Sequence, residues 1–300
     1  MWFRNLTILR LTEPFPFNAE SLAARLAARA FQPCPSHQPS ATGWTPPLGR
    51  KAVDQVHQVS GRLLICLRTE EKVLPALVVN QVLAERIALI EDQQGRPVRR
   101  REKQELRDQL VQELLPRALS RNRLGYAYLD LAAGWLVVDS ASPRGVEEIT
   151  GALREALDSL PVAPLRVAWS PSAVMTAWLT EGQAPPAFTL GDVCELREDS
   201  AAGGVVRCRG QDLTGEEMHG HLQAGKQVTR LGLIWNERVA LVLDETLVVR
   251  RLQFLDVVRE ALRETTAESM EAVFDAEFAL MTGELALLLP GLLESFGGAA

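Results

Sequence analysis

The chain has 300 residues, 47% of them hydrophobic and 23% charged, with 21 Gly and 17 Pro. That is enough to bury a substantial core, and it excludes a disordered polypeptide, a collagen-like repeat and a dense disulfide scaffold. The formal net charge of −6 argues by itself against a nucleic-acid partner. Yet four Lys (Lys51, Lys72, Lys103, Lys226) among the 32 basic residues leave 28 Arg, the side chain whose planar fork suits phosphate.

Residues 2–11 read as a strand, and 18–30 as a helix capped by Asn18 with Leu22, Leu26 and Ala30 on one side. Five prolines in 32–50 predict a loop. Residues 61–69 read as a buried strand, and 75–92 as an amphipathic helix that starts at Pro75. Leu106, Leu110 and Leu114 give 101–115 a helical period, so the preceding Arg run meets a helix N-terminus. Cations there oppose the helix dipole, which is easier to explain if an external anion joins them. Residues 125–140 predict a hairpin turning at Ala132-Ala133-Gly134, followed by a helix over 143–159. Connections follow at Pro161 and Pro164, and again over 181–192. Residues 203–209 read as a strand, and Thr214 with Glu217 as a capping box. Strands over 226–235, 238–243 and 247–254 then form a meander, and 268–295 reads as an acidic helical region.

The four cysteines, Cys34, Cys66, Cys194 and Cys208, contain no CxxC pair, so free thiols are expected rather than disulfides or zinc. The segment MWFRNLTILRL is too short and interrupted for a signal peptide, and the apolar run Leu285–Leu293 is broken by Pro290 and Gly291. A soluble cytoplasmic protein is the expectation. Gly220 to Gln227 imitates a phosphate loop but has Gln where Ser or Thr should bind magnesium, and its helix-then-strand order is reversed. Gly225 reads better as a helix C-cap. His219 and His221 are two apart and cannot share a metal from one helix face. Met281 to Glu284 reads as a helix start. No nucleophile–base pair, metal motif or cofactor fingerprint is present, so no catalytic residue, metal or cofactor is assigned.

Charge is segregated. From Arg96 to Arg123 there are nine basic and four acidic residues, a balance of +5; from Leu255 to Ala300 there are two and nine, a balance of −7. The alternative to a binding surface is a solvated helix face with i, i+4 pairs such as Arg101–Glu105. Recurrence favours binding, because LLPRALSRNR adds Arg117, Arg121 and Arg123 at a helix end. Arg207 and Arg209 also share one side of a strand. With no base-reading motif in the chain, contact with the nucleic-acid backbone is the expected mode.

Several strings in fixed order carry a resemblance: WFRNLTILRL, FQPCPSHQPSATGWTPPLG, EEKVLPALVV, LLPRALSR, SLPVAPL, QDLT-x-EE, AGKQVTRLGLIW, RLQF and FDAEFALMTGELA. Nearly end to end, the chain resembles the bacterial recombination-associated RdgC family. The resemblance implies an α+β fold of mixed antiparallel sheets and helices in an elongated, curved subunit, closing as a ring-shaped homodimer. It implies non-specific binding of double- and single-stranded DNA, restraint of RecA-driven recombination, nucleoid association, no catalysis and no membrane. Family positions in PRAxSR fall on Arg117 and Arg121, and those in GKxVTK on Lys226 and Arg230. Ring-closing contacts fall on Leu119, where the family often has Phe, and on Gly210-Gln211, where it has Lys before Gln. Adding the basic residues of the surrounding segments, the DNA-contact set is Arg68, Lys72, Arg96, Arg99, Arg100, Arg101, Lys103, Arg117, Arg121, Arg123, Arg207, Arg209, Lys226 and Arg230. Two lobes are expected, 1–165 and 166–300. Cations are expected to line the ring and acids to face outward. The rival functions are a RecA-binding protein with incidental DNA contact and a metal-dependent nuclease.

Overall fold

The computed structural model describes residues 1–49, 52–198, 203–263 and 269–300. Arg50, at the end of the proline-rich loop, and Glu268, at the start of the expected C-terminal helix, lie outside the described residues. The architecture is α+β, built on two antiparallel sheets. The first contains β1 (Thr7–Leu11), β2 (Ser40–Thr45), β3 (Val56–Val59), β4 (Arg62–Val73), β5 (Leu119–Asp130), β6 (Trp135–Val138) and β7 (Val162–Pro164). Its order is β2-β4-β5-β6-β1-β7, with β3 also paired to β4. Helices α1 (Ala19–Ala27) and α4 (Pro143–Leu157) cover one face. There Leu22, Leu26, Leu153 and Leu157 pack on Leu63, Ile65, Leu67, Ala127 and Leu129, the alternate positions of β4 and β5.

Between β4 and β5 the chain leaves the sheet as an antiparallel helical hairpin, α2 (Ala76–Gln94) and α3 (Arg100–Leu114). The hairpin closes a small core of its own from Val79, Leu83 and Leu110. Gly95 turns the chain at its tip in the left-handed region, φ 60°.

The second sheet has the order β12-β11-β10-β8-β9. Its strands are β8 (Phe188–Glu198), β9 (Val205–Arg209), β10 (Lys226–Trp235), β11 (Val239–Asp244) and β12 (Val249–Phe254). The helices of this half are α5 (Pro171–Glu181), α6 (Glu216–Gln223), α7 (Asp256–Arg263) and α8 (Met270–Glu294). One large apolar cluster joins both halves: Ile8, Leu64, Tyr128 and Val137 of the first sheet meet Phe278, Met281 and Leu285 of α8 and Leu231, Leu241 and Leu243 of the second. Residues 4–6 bridge the sheets by backbone. Leu6 and Val249 exchange N–H···O bonds of 2.8 and 2.9 Å, and Leu252 N–H donates to the Arg4 carbonyl.

Several expectations are corrected. The strand read over 2–11 pairs within the first sheet only at 7–11, because its first residues are used for that bridge. The proline-rich loop contains β2, whose Gly43 lets the Phe31 backbone approach; an added Cβ would lie 2.5 Å from Phe31 Cα. The connection read over 181–192 holds the start of β8. The hairpin begins at Leu119 rather than 125, so Arg121 and Arg123 are strand residues and Arg117 closes a short 3-10 turn, Leu115–Arg117. Thr214 does not cap α6: it is bonded to Asp212 instead, and Gly215 stands at the N-cap. Met281 to Glu284 lies inside α8, not at a helix start, and the helix continues through Pro290.

By length and composition α8 could cross a membrane, yet half of its most apolar stretch is buried in the fold. Two of its acids make contacts that tie it down. Glu284 pairs with Arg238 at 2.5 and 2.9 Å, and Glu277 accepts from the Trp2 indole at 3.3 Å. The expectation that the C-terminal acids form an outward repelling surface is thus corrected for these two, whose carboxylates are used as anchors.

Candidate nucleic-acid interface

The basic segment 96–103 occupies the tip of the α2–α3 hairpin. Arg99 is the N-cap of α3, and Arg100, Arg101 and Lys103 fill its first turn, all exposed. Arg96 is held by Glu102 through two bonds of 2.8 and 3.0 Å. That contact keeps the Glu102 carboxyl below its ordinary value. Arg101 pairs with Glu105 at 3.1 Å. Arg99, Arg100 and Lys103 have no carboxylate within 4 Å among the described residues. The tip therefore presents three unneutralised cations at a helix N-terminus, where an anion would satisfy both charge and dipole.

A second group lies at the other end of the hairpin, on the stem formed by β4 and β5. With 15 residues in α3, the two groups are about 22 Å apart along the helix axis. The fold does not bring them into one patch. On the stem, the register pairs Arg68 with Leu124, Glu70 with Asn122 and Lys72 with Ser120 on one face. Thr69 pairs with Arg123, Glu71 with Arg121 and Val73 with Leu119 on the other. Arg68 stacks over Phe31, 4.1 Å from the ring centre, and donates to Asn122 at 2.9 Å. Arg121 donates to Glu71 at 2.8 Å, and this bond holds the Glu71 carboxyl below its usual value. Arg123 is tied to Glu148 of α4. Lys72 and Arg117 have no carboxylate partner among the described residues.

The third group is on the second sheet. Arg207 and Arg209 do alternate to the same side of β9, and Arg230 lies two strands away on β10. Arg207 and Arg230 both reach the buried Glu195 of β8. Arg209 and Lys226 have no carboxylate within 4 Å among the described residues. Gly210 turns the chain after β9 with φ 64°, and Gly210 and Gln211 are exposed. Leu119 is 82% exposed at the end of the stem, beside Val73, Leu77 and Val78, which are also exposed.

Sequence reasoning overlooked Glu195 and Arg197. Both sit in β8, where Cys194 and Leu196 alternate with them between the core and the outer face. That period-two pattern was the available signal. All four cysteines are free, and no group of three or more His, Cys, Asp or Glu could share a metal among the described residues.

Among the described residues, the arrangement places unpaired cations that can meet phosphates at several separate points. The family described as "Putative exonuclease, RdgC" matches residues 1–299. A protein of Halorhodospira halophila named Recombination-associated protein RdgC is 44% identical over 298 residues, covering 99% of this chain and 98% of its own. Its namesake from Aeromonas hydrophila subsp. hydrophila is 42% identical with the same coverage. Another from Pseudomonas entomophila is 40% identical over 299 residues, again with 99% and 98% covered. The chain belongs to the RdgC family.

Proposed function

We propose that the chain is a non-sequence-specific DNA-binding protein that acts in recombination without catalysing a reaction. It encircles double-stranded DNA as a ring-shaped homodimer, also binds single strands, and restrains RecA at the nucleoid. In this reading the lobes 1–165 and 166–300 each supply cations to the ring, and the contacts that close it include Leu119 and Gly210-Gln211. The observation that carries the reading is the set of exposed or half-buried candidate cations without a carboxylate partner among the described residues: Lys72, Arg99, Arg100, Lys103, Arg117, Arg209 and Lys226. Unpaired cations in three separate groups suit a long polyanion better than a compact ligand. The names of the relatives supply the link to recombination.

Binding to duplexes of unrelated sequence, followed across salt concentration, tests the proposal. Affinity is expected to fall steeply with salt and to vary little with sequence. Affinity unchanged between low and moderate salt would overturn it. The description of the family as an exonuclease favours a second reading. Shortening of linear DNA by the purified protein with magnesium or manganese would support that reading, whereas intact DNA is the expected result.

A further inference from the structure

The register of β9, β8 and β10 sets Arg207, Glu195 and Arg230 in one row across three strands. Both guanidiniums donate to the same atom, Oε2 of Glu195: Arg207 through Nε at 2.7 Å and Arg230 through Nη1 at 3.2 Å. Arg197 lies 3.6 Å from the other oxygen, Oε1, to which the Thr229 hydroxyl donates at 3.3 Å. The carboxylate is the buried member, 6% exposed, while the side chains of Arg207 and Arg230 are 64% and 40% exposed.

Two guanidiniums do not converge on one point unaided, since their charges repel. Here a buried anion holds them together from the protein side. Each spends one nitrogen on that anion, and an Arg has five N–H donors. Arg207, anchored by Nε, makes no hydrogen bond through its terminal nitrogens to a carboxylate among the described residues. Three cations around one carboxylate leave a local charge of +2, offset in part by Glu245, 3.9 Å from Arg197. A preformed fork with donors to spare and a positive excess matches the oxygens of a phosphodiester.

We propose that Glu195 is a positioning residue that holds Arg207 and Arg230 as one preformed seat for a phosphate of the DNA backbone. This rests on the DNA-binding reading above and adds to it that an acidic side chain strengthens binding to a polyanion. Net charge alone implies the opposite. Burial pushes the Glu195 carboxyl up, but the bond from Arg207 and the nearby charge of Arg230 bring it below the ordinary glutamate value, so it is ionised at neutral pH.

The test compares Glu195→Gln, Glu195→Ala, Arg207→Ala/Arg230→Ala and the triple variant Glu195→Ala/Arg207→Ala/Arg230→Ala on a random-sequence duplex, across salt, with unfolding monitored alongside. Glu195→Ala is expected to weaken binding about three- to tenfold and to lower the salt slope by about one, as for the loss of one phosphate contact. The triple variant is expected to bind no more weakly than Arg207→Ala/Arg230→Ala, because Glu195 acts through those two side chains. If Glu195→Ala fails to fold, Glu195→Gln decides, since it keeps the volume and one acceptor. Binding equal to or tighter than wild type in a folded Glu195 variant overturns the inference. Wild-type protein that binds no DNA overturns the underlying reading instead.

Discussion

Val73 and Leu119 face each other directly across β4 and β5, and both are exposed, 45% and 82%. They form an apolar end to a stem that is polar on both faces, continued by Leu77 and Val78 at the start of α2. An exposed apolar cluster where the stem meets the helical hairpin is what a partner surface needs to close against. A leucine side chain buried on assembly contributes about 1.5–3 kcal/mol. Leu119→Asp is accordingly expected to shift the monomer–dimer equilibrium towards monomer by at least tenfold in sedimentation equilibrium, without lowering stability. An unchanged dimer would remove this end of the stem from the ring closure.

Arg117 and Arg121 differ in how much charge they have to offer. Arg121 is offset by Glu71, whereas Arg117 has no carboxylate partner among the described residues. Both are expected to weaken binding to all sequences alike when replaced by Ala, with the larger loss for Arg117. The double Glu replacement should lower the salt slope by about two, close to 0.9 for each phosphate contact removed. Retention of full affinity in the double variant would take both residues out of the interface.

What the sequence made legible follows from where burial governs. β4 reads as a continuous apolar run because both of its faces are buried, while β10, α3 and α4 show apolar periods because one side of each is buried. The polar half of β5 was read as helix end because Arg121, Asn122 and Arg123 have no apolar alternation. They extend past the core and are held by backbone pairing with β4 and by polar side-chain contacts. β8 was hidden by Gly191, which belongs in the strand because it packs on Gly232; a Cβ there would lie 3.1 Å from the Gly232 carbonyl carbon. The basic residues were found, but their division among a hairpin tip, a stem and a second sheet was not, since it depends on α2 and α3 leaving the sheet together. Glu284 was misplaced for a related reason: its partner Arg238 lies 46 residues away in sequence.

Asp139 anchors the segment that bridges the two sheets, accepting N–H bonds from Arg4 and Asn5, both at 2.9 Å. Burial outweighs these bonds and raises its carboxyl above the ordinary aspartate value of 3.8. A carboxyl raised on folding costs nothing while both states are protonated, and costs stability once pH rises above the unfolded value and through the folded one. Asp139→Asn keeps an acceptor oxygen without the charge. The stability of Asp139→Asn relative to wild type, from urea unfolding, is therefore expected to increase as pH rises from about 3 to 7. A difference independent of pH, or one that falls, would contradict this.

The most direct measurement is retention on closed-circular against linear duplex DNA of the same sequence, loaded at low salt and then challenged with high salt. High salt removes phosphate contacts from both forms equally. A closed ring remains threaded on the circle after those contacts are lost, while it slides off a free end. Protein cosedimenting with circles but not with linear DNA after the challenge is the expected result. Equal loss from both forms would contradict encirclement and leave only an open, phosphate-binding surface.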